Sequence, residues 1–309
     1  MLRQVKRAGA VPVVGDSPGL GSIEKVAEKC GIGEVCRAEG VEIVPFTEAV
    51  ELPLPDGRVL KKLTVAKALT GVDKVISLAK MKTHSFIGVT GAVKNLFGFF
   101  VGTDKAQFHL RMKRRSDFAG MLVDLYCAVK PVLSIVDGIW GMEGAGPRNG
   151  RPVKSGVLLG GSCGFSVDLI MTDIMGFKAE DMPVAQAAIA AGLSPGFAGI
   201  VRAGSGDGVR HHFEGAQNFD SLENKLPGWL VDFSQNRFTA KPVIRETCVG
   251  CGRCAEHCPP EVIRIVRGKA VIDYRECIRC YCCQELCPAN AISLRDGSLL
   301  RVMKWLHRR

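Results

Sequence analysis

Two stretches near the carboxyl end, "CVGCGRCAEHCPP" (residues 248–260) and "CIRCYCCQELCPA" (residues 277–289), decide how this 309-residue chain is read. Cys248-x2-Cys251-x2-Cys254-x3-Cys258-Pro259 returns as Cys277-x2-Cys280-x2-Cys283-x3-Cys287-Pro288, an internal repeat with a period of 29 residues. Three thiolates at this interval can wrap one iron–sulfur cubane from a single tight loop. The fourth cysteine starts a helix facing away and reaches the other cubane. Crossed ligand sets follow: Cys248, Cys251, Cys254 and Cys287 for one cluster, and Cys277, Cys280, Cys283 and Cys258 for the second. Gly250 and Gly252 would let backbone N–H groups approach the sulfurs, and such hydrogen bonds help set the potential.

Zinc usually takes four ligands from two C-x2-C pairs, and a third cysteine at the same interval followed by Pro is not its habit. Disulfides are not expected without a secretion signal. The spacing is therefore read as the bacterial ferredoxin pattern for two [4Fe–4S] clusters. Short apolar strands, "EVIRIV" and "AISL", follow the two runs, and "VRGKAVID" reads as a hairpin turning through Arg267-Gly268-Lys269. A compact α+β unit is expected from about Lys241 to Leu294, with "LLRVMKWLHRR" as a helix docked on it. Cys282 lies out of register and is read as a bystander. Cys36 and Cys163 have no ligand spacing, and Cys30 and Cys127 are read as small core residues.

Composition bounds the rest. Hydrophobic content of 47% with 23% charge describes a globular chain long enough for two domains. The longest uncharged run, Met182 to Val201, is broken by Pro183, Gln186, Ser194 and Pro195, so it is read as a helix and loop rather than a membrane span. No secretory signal is visible, and a cytoplasmic location is expected. The net charge of +10 is partly illusory, because iron-bound thiolates would offset the 13 Lys and Arg that face seven Asp and Glu from Lys241 onward. With three Tyr and three Trp and no basic patch interleaved with aromatics, nucleic acid is not an expected partner.

Residues 1–208 read as an α/β domain, 209–240 as a linker and 241–309 as the ferredoxin-type domain with its tail. In the first domain strands and helices alternate. "VPVV", "VEIVPF", "DKVISL", "VLSIV" and "SGVLLGG" read as strands. "SIEKVAEKCG" reads as a helix capped by Ser22, "SDFAGMLVDLYCAVKP" as one capped by Ser116, and "SVDLIMTDIMG" as one closed by Gly176. The expectation is a layered α/β fold with a mostly parallel sheet.

The unusual segments all follow strands: "GDSPG", "AKMKTH", "DGIWGMEGAGPRNG" and "GGSCG". Ligands of open α/β sheets bind beyond the carboxyl ends of strands, where such loops converge. Asp16, Ser17, Lys82, His84, Asp137, Glu143, Arg148 and Asn149 are therefore candidates to line one cleft, walled by "SLAKMKTHSFIGVTGAVKNLFGFFVG" with its Lys94 and Asn95. Taken singly, each has a plainer reading: His84 as a structural hydrogen-bonder, Asp16 as a turn former, Lys80 and Lys82 as a solvated edge, "GGSCG" as a turn. Their shared position at strand ends favours the cleft. The basic run "HLRMKRRSD" reads as a solvated loop, or else as a contact for an acidic redox partner.

The stretches "VVGDSPG", "SLAKMKTHSFIGVTGAVKNLFGFFVG", "LSIVDGIWGMEGAGPRNG", "FSVDLIMTDIMG" and "AAIAAGL" resemble the family called domain of unknown function 362, from about Val11 to Gly208. A C-terminal ferredoxin module is a common companion in that family, and the resemblance implies a fold and a redox context rather than a reaction. Members generally carry further strands and a lysine-containing loop before the "GDSP" element. The sheet is therefore expected to be completed differently here, or the start codon to lie upstream of Met1.

These readings lead to an expected iron–sulfur protein whose clusters pass electrons from a redox partner to a substrate or cofactor in the cleft. Lys82 and Lys94 would hold an anionic group and His84 would donate a proton. Two alternatives stay open: a non-enzymatic electron-transfer subunit docking on a larger oxidoreductase, and a hydrolase or transferase with structural clusters.

Overall fold

A computed structural model describes residues 1–18, 21–101, 108, 112, 114–206, 208–215 and 240–295. The predicted C-terminal tail, the 216–239 part of the linker and most of the basic run at 109–113 lie outside the described residues.

The strands are β1 (Val13–Asp16), β2 (Glu42–Pro45), β3 (Ala49–Pro53), β4 (Lys62–Ala66), β5 (Ile76–His84), β6 (Gly88–Thr90), β7 (Leu133–Ala145), β8 (Asn149–Gly161), β9 (Lys241–Ile244), β10 (Ile263–Val266), β11 (Lys269–Ile272) and β12 (Ile292–Arg295). The central sheet has the order β6-β5-β7-β8. Only its β5–β7 pair is parallel; β5–β6 and β7–β8 are antiparallel. β1 and β2 form a separate parallel pair, and β3 and β4 an antiparallel one. The expectation of a mostly parallel sheet is thus corrected to a mixed α/β architecture.

The reason lies in the segments taken for loops. "AKMKTH" continues β5, "DGIWGMEGA" continues β7, and residues 149–161 make β8 its antiparallel partner. A hairpin returning at 146–148 replaces the crossover that a parallel sheet would need. Along β5, Ser77, Ala79, Met81 and Thr83 are buried, while Leu78 and Lys80 are exposed on the other face. This is period-two alternation. It was hard to read because the inward set includes Ser and Thr and the outward set includes Leu.

The inward face packs on helix Gly164–Ile174, where Met81, Val136, Val167 and Met171 share one core. A second core surrounds helix Arg115–Val129, with Phe86, Phe97, Phe100, Phe118 and Leu122. Its Phe86 and Phe118 rings meet edge to face at 5.3 Å. The "LFGFF" segment anchors here through Leu96, Phe97 and Phe100, as its apolar run suggested. Buried Asp124 of the same helix accepts hydrogen bonds from the backbone N–H groups of Arg58, Val59 and Leu60, pinning the β3–β4 hairpin to it.

Local signals explain most helix ends. Ser22 accepts from Lys25 N at the start of helix Ile23–Lys29, and Gly176 closes helix Gly164–Ile174 with φ +85°. Ser116 does not cap: the helix begins at Arg115, so the serine sits in its first turn. Cys30 is exposed rather than in the core, although Cys36 is buried. Packing continues past residue 208, since Phe213 is fully buried and Glu214 N donates to Glu143.

In the last unit β10 and β11 form the predicted hairpin, with Val266 opposite Lys269 and positive φ at both Arg267 and Gly268. Two positive-φ residues in a two-residue turn match the twist of the flanking strands. β9 pairs antiparallel with β12 to close the unit.

Candidate functional site

The two cysteine loops repeat in conformation as well as in spacing. Gly250 and Gly252 have φ of +64° and +79°, and their counterparts Arg279 and Tyr281 have +57° and +63°. Left-handed backbone is costly for Arg and Tyr, yet the second loop keeps the shape that glycines give the first. At Gly250 a side chain would also collide with the Gly268 carbonyl, 2.3 Å from the Cβ position.

Cys248, Cys251, Cys254 and Cys287 line one pocket of about 330 Å³ including its open mouth. Ala270 N points at the Cys248 sulfur at 3.5 Å and Ala291 N at the Cys287 sulfur at 3.2 Å. Burial pushes the Cys254 thiol up, and neighbouring Cys248 and Cys287 push it further. Cys258 is raised in the same way, with Cys280 and Cys277 as its charged neighbours. Backbone N–H donors aimed at clustered sulfurs are what an iron–sulfur cluster requires. Among the described residues no group of three or more His, Cys, Asp or Glu is arranged to hold a single metal ion.

The second loop does not face solvent. Tyr281 is 3% exposed and joins the core around helix Arg115–Val129, and its hydroxyl donates to Ala240 O at 2.8 Å. Helix Cys282–Glu285 is gripped by the β7–β8 turn. Asn149 Nδ2 donates to Gln284 O at 2.9 Å, Arg148 to Glu285 O at 3.2 Å, and Gln284 Nε2 to Ala145 O at 3.3 Å. That turn is held in place by Ser85, whose hydroxyl donates to Gly146 O, and by Thr83, which donates to Gly144 O.

The end of β5 therefore meets the cysteine loop directly. His84, 1% exposed, lies with Nε2 3.6 Å from Glu285 Oε1. Its Nδ1 accepts from Phe86 N at 3.0 Å, which places the proton of the neutral ring on Nε2, facing the carboxylate. Half-buried Lys94 stands with its ammonium 4.7 Å from the Phe97 ring centroid. Burial lowers its pKa, Glu285 and Cys282 oppose that, and Lys82 adds to it. Burial raises Glu285 to about 6, with Lys94 acting the other way. Lys82 is lowered by burial and then by Lys80, against Asp16. Cys282 is not remote from this chemistry: a hydrogen bond with the Cys280 sulfur, and then burial, holds its thiol well above the ordinary value.

Lys82, His84, Lys94, Arg148 and Asn149 thus converge on the junction, with Asp16 close to Lys82. The other candidates for one shared cleft have partners elsewhere. Asp137 pairs with Lys80 across the β5–β7 register and accepts from Ile139 N. Glu143 binds Arg151 and Glu214 N on the far side of the hairpin. Asn95 donates to Ser77 Oγ and Leu78 O, a structural role. Ser17 is buried beside Asp16, whose Oδ1 accepts from Ser17 N. Gly164 N of the "GGSCG" segment donates to the Tyr126 hydroxyl, so that turn is tied to the neighbouring helix.

Sequence reasoning missed Glu285, Tyr281 and Asp168. Asp168 accepts from Ala92 N and Val93 N at 2.6 and 3.0 Å, orienting the short helix Ala92–Asn95 that presents Lys94. Burial raises its pKa to about 7. A folded pKa above the unfolded value near 3.9 means the fold holds a proton that the unfolded chain releases, so this contribution to stability falls as pH rises from about 4 to about 7. Asp168→Asn should therefore gain on the wild type between pH 5 and 7, by up to a few kcal/mol, and level off above. Denaturant melts of anaerobic protein across that range would check the trend.

The family model described as "Domain of unknown function (DUF362)" matches residues 1–173, and that of a 4Fe-4S dicluster domain matches residues 241–288. The latter supports an iron–sulfur electron-transfer protein carrying 4Fe–4S clusters. The chain is 36% identical over 192 residues to the thylakoid-associated protein sll1697 of Synechocystis sp.. That match covers 62% of this chain and 59% of the relative, so the chain spans about three-fifths of the relative's length. No solved structure matches. No helix among the described residues is long and apolar enough to cross a membrane.

Proposed function

The chain belongs to the family described as domain of unknown function (DUF362), and we propose that it relays single electrons through two [4Fe–4S] clusters to an acceptor bound at the β5–module junction. In this reading Cys248, Cys251, Cys254 and Cys287 hold the first cluster, and Cys277, Cys280, Cys283 and Cys258 the second. The clusters supply one-electron storage; the surrounding chain supplies charge and protons. The observation that carries the proposal is the meeting of Lys94, His84 and Glu285 beside Cys282, on the helix that follows the second thiolate loop. A carrier protein alone has no need of half-buried cations and a buried proton donor beside its cysteine loop.

Each side chain has a task in this scheme. Lys94 and Lys82 attract an anionic acceptor and offset the charge that arrives with each electron, because a cation in a poorly solvated site acts far more strongly than one in water. His84 donates from Nε2, and Glu285 holds that ring edge in place. Lys94 also offsets thiolate charge, and net charge is among the factors that set cluster potential.

His84→Ala should cut turnover with a reduced low-potential donor by about 100-fold or more while leaving the iron content unchanged. Lys94→Met should lower the midpoint potential of one cluster and spare the other, measured by anaerobic redox titration with electron paramagnetic resonance. If both variants match the wild type in turnover and in potential, the junction is not the delivery site. The acceptor itself is sought by mass spectrometry of anaerobically purified protein.

A further inference from the structure

The repeat makes the two loops equivalent in sequence, yet the fold leaves them in opposite surroundings. Val249 is 67% exposed, Cys251 and Arg253 are exposed, and Glu256 is exposed. Their counterparts 29 residues on are Ile278, Cys280, Cys282 and Glu285; Cys280 and Cys282 are buried, and Glu285 is turned onto His84. The first loop is therefore the side of the module that a second protein can reach, while the second loop is spent on the α/β domain.

The rim of the first loop has its own chemistry. Ile265 and Val249 line the mouth of the pocket that holds Cys248, Cys251, Cys254 and Cys287. Exposed Arg245, Arg253, Arg267 and Lys269, with the carboxylates of Glu246 and Glu256, lie within two residues in sequence of positions that line it. The Gly268 carbonyl lies against Gly250, and Lys269 Nζ donates to the Glu246 and Cys248 carbonyls, so the turn carrying Arg267 and Lys269 sits beside the first thiolate loop. A small apolar centre inside a cationic rim suits an acidic protein that must bring its own redox group close and then leave.

We propose that this face is the electron inlet, docking an acidic one-electron carrier protein over Val249 and Cys251; the direction of flow, from first loop to second, rests on the delivery site proposed above. The carrier is oxidised by one electron and the protein reduced by one. No bond forms or breaks, and no proton moves in this step.

The test is stopped-flow reduction of the anaerobic protein, without acceptor, by reduced flavodoxin as the acidic carrier. Photoreduced deazaflavin, which has no docking face, serves as control. R253E/R267E should slow reduction by flavodoxin about tenfold at low ionic strength and flatten its salt dependence, with the deazaflavin rate unchanged. R275E, a comparable reversal at a side chain exposed beside the second loop, should leave both rates alone. A wild-type rate and salt slope in R253E/R267E, an equal loss in R275E, or a dimer in sedimentation that R253E/R267E dissolves would each overturn the inlet. Because no acceptor is present, failure of the junction to deliver electrons would leave these rates untouched and would appear instead in the His84 and Lys94 variants.

Discussion

Cys258→Ala is expected to remove the cluster held by Cys277, Cys280 and Cys283, and to leave intact the one in its own loop. Iron should fall from about eight to about four atoms per chain, and the lost resonance should match that lost in Cys277→Ala. Cys287→Ala should in turn match Cys248→Ala. The crossing is expected because the fourth cysteine of each run lies after a helical turn that carries it away from its neighbours. Burial raises both Cys254 and Cys258, and the neighbours that add to it are Cys248 and Cys287 for the first and Cys280 and Cys277 for the second. If Cys258→Ala instead behaves like Cys248→Ala, each run holds its own cluster and the assignment fails. Either cluster's loss removes a step of the relay, so turnover should drop to background in both classes of variant.

Tyr281→Ala should loosen the module from the α/β domain. The ring is buried in the larger core and the hydroxyl is bonded to Ala240 O, while burial pushes the phenol up to about 12. Truncating a buried aromatic of this size costs about 3–5 kcal/mol. Alanine gives no relief from the left-handed backbone at φ +63°. Tyr281→Phe keeps the ring and loses one hydrogen bond, a cost of about 1 kcal/mol. Hydrogen exchange offers the readout: amides of Phe86 and of residues 282–285 should lose protection in Tyr281→Ala and retain it in Tyr281→Phe. Turnover should follow protection, since His84 and Lys94 would lose Glu285. Unaltered protection in Tyr281→Ala would mean that the contacts of Arg148 and Asn149 suffice to hold the module.

Several elements were legible in the chain alone. Ser22 marked a helix start and Gly176 a helix end, and the Arg267–Gly268 hairpin was visible as a turn between apolar runs. Those signals act over a few residues, where backbone preference and hydrophobic period decide the outcome. The sheet was misread because its strands are long and carry lysine, histidine and glycine toward a face that is solvated at Leu78 and covered at His84. Alternation along β5 cannot announce that change, for the covering helix comes from 200 residues away. The candidate cleft divided for the same reason: Asp137 and Glu143 have the right residue types but point to Lys80 and Arg151.

The cysteine ladder could be proposed from spacing, since a thiolate's reach around a cubane is fixed by the few residues between ligands. Which loop faces water, and which is buried beside Lys94, His84 and Glu285, was decided by packing. Tyr281 enters a core built mainly from residues 63–188, and Asp168 holds the helix that carries Lys94 through Ala92 N, 76 residues away in the chain. Burial and charge at that junction depend on what surrounds each group in space, and no local pattern along the chain carries that information.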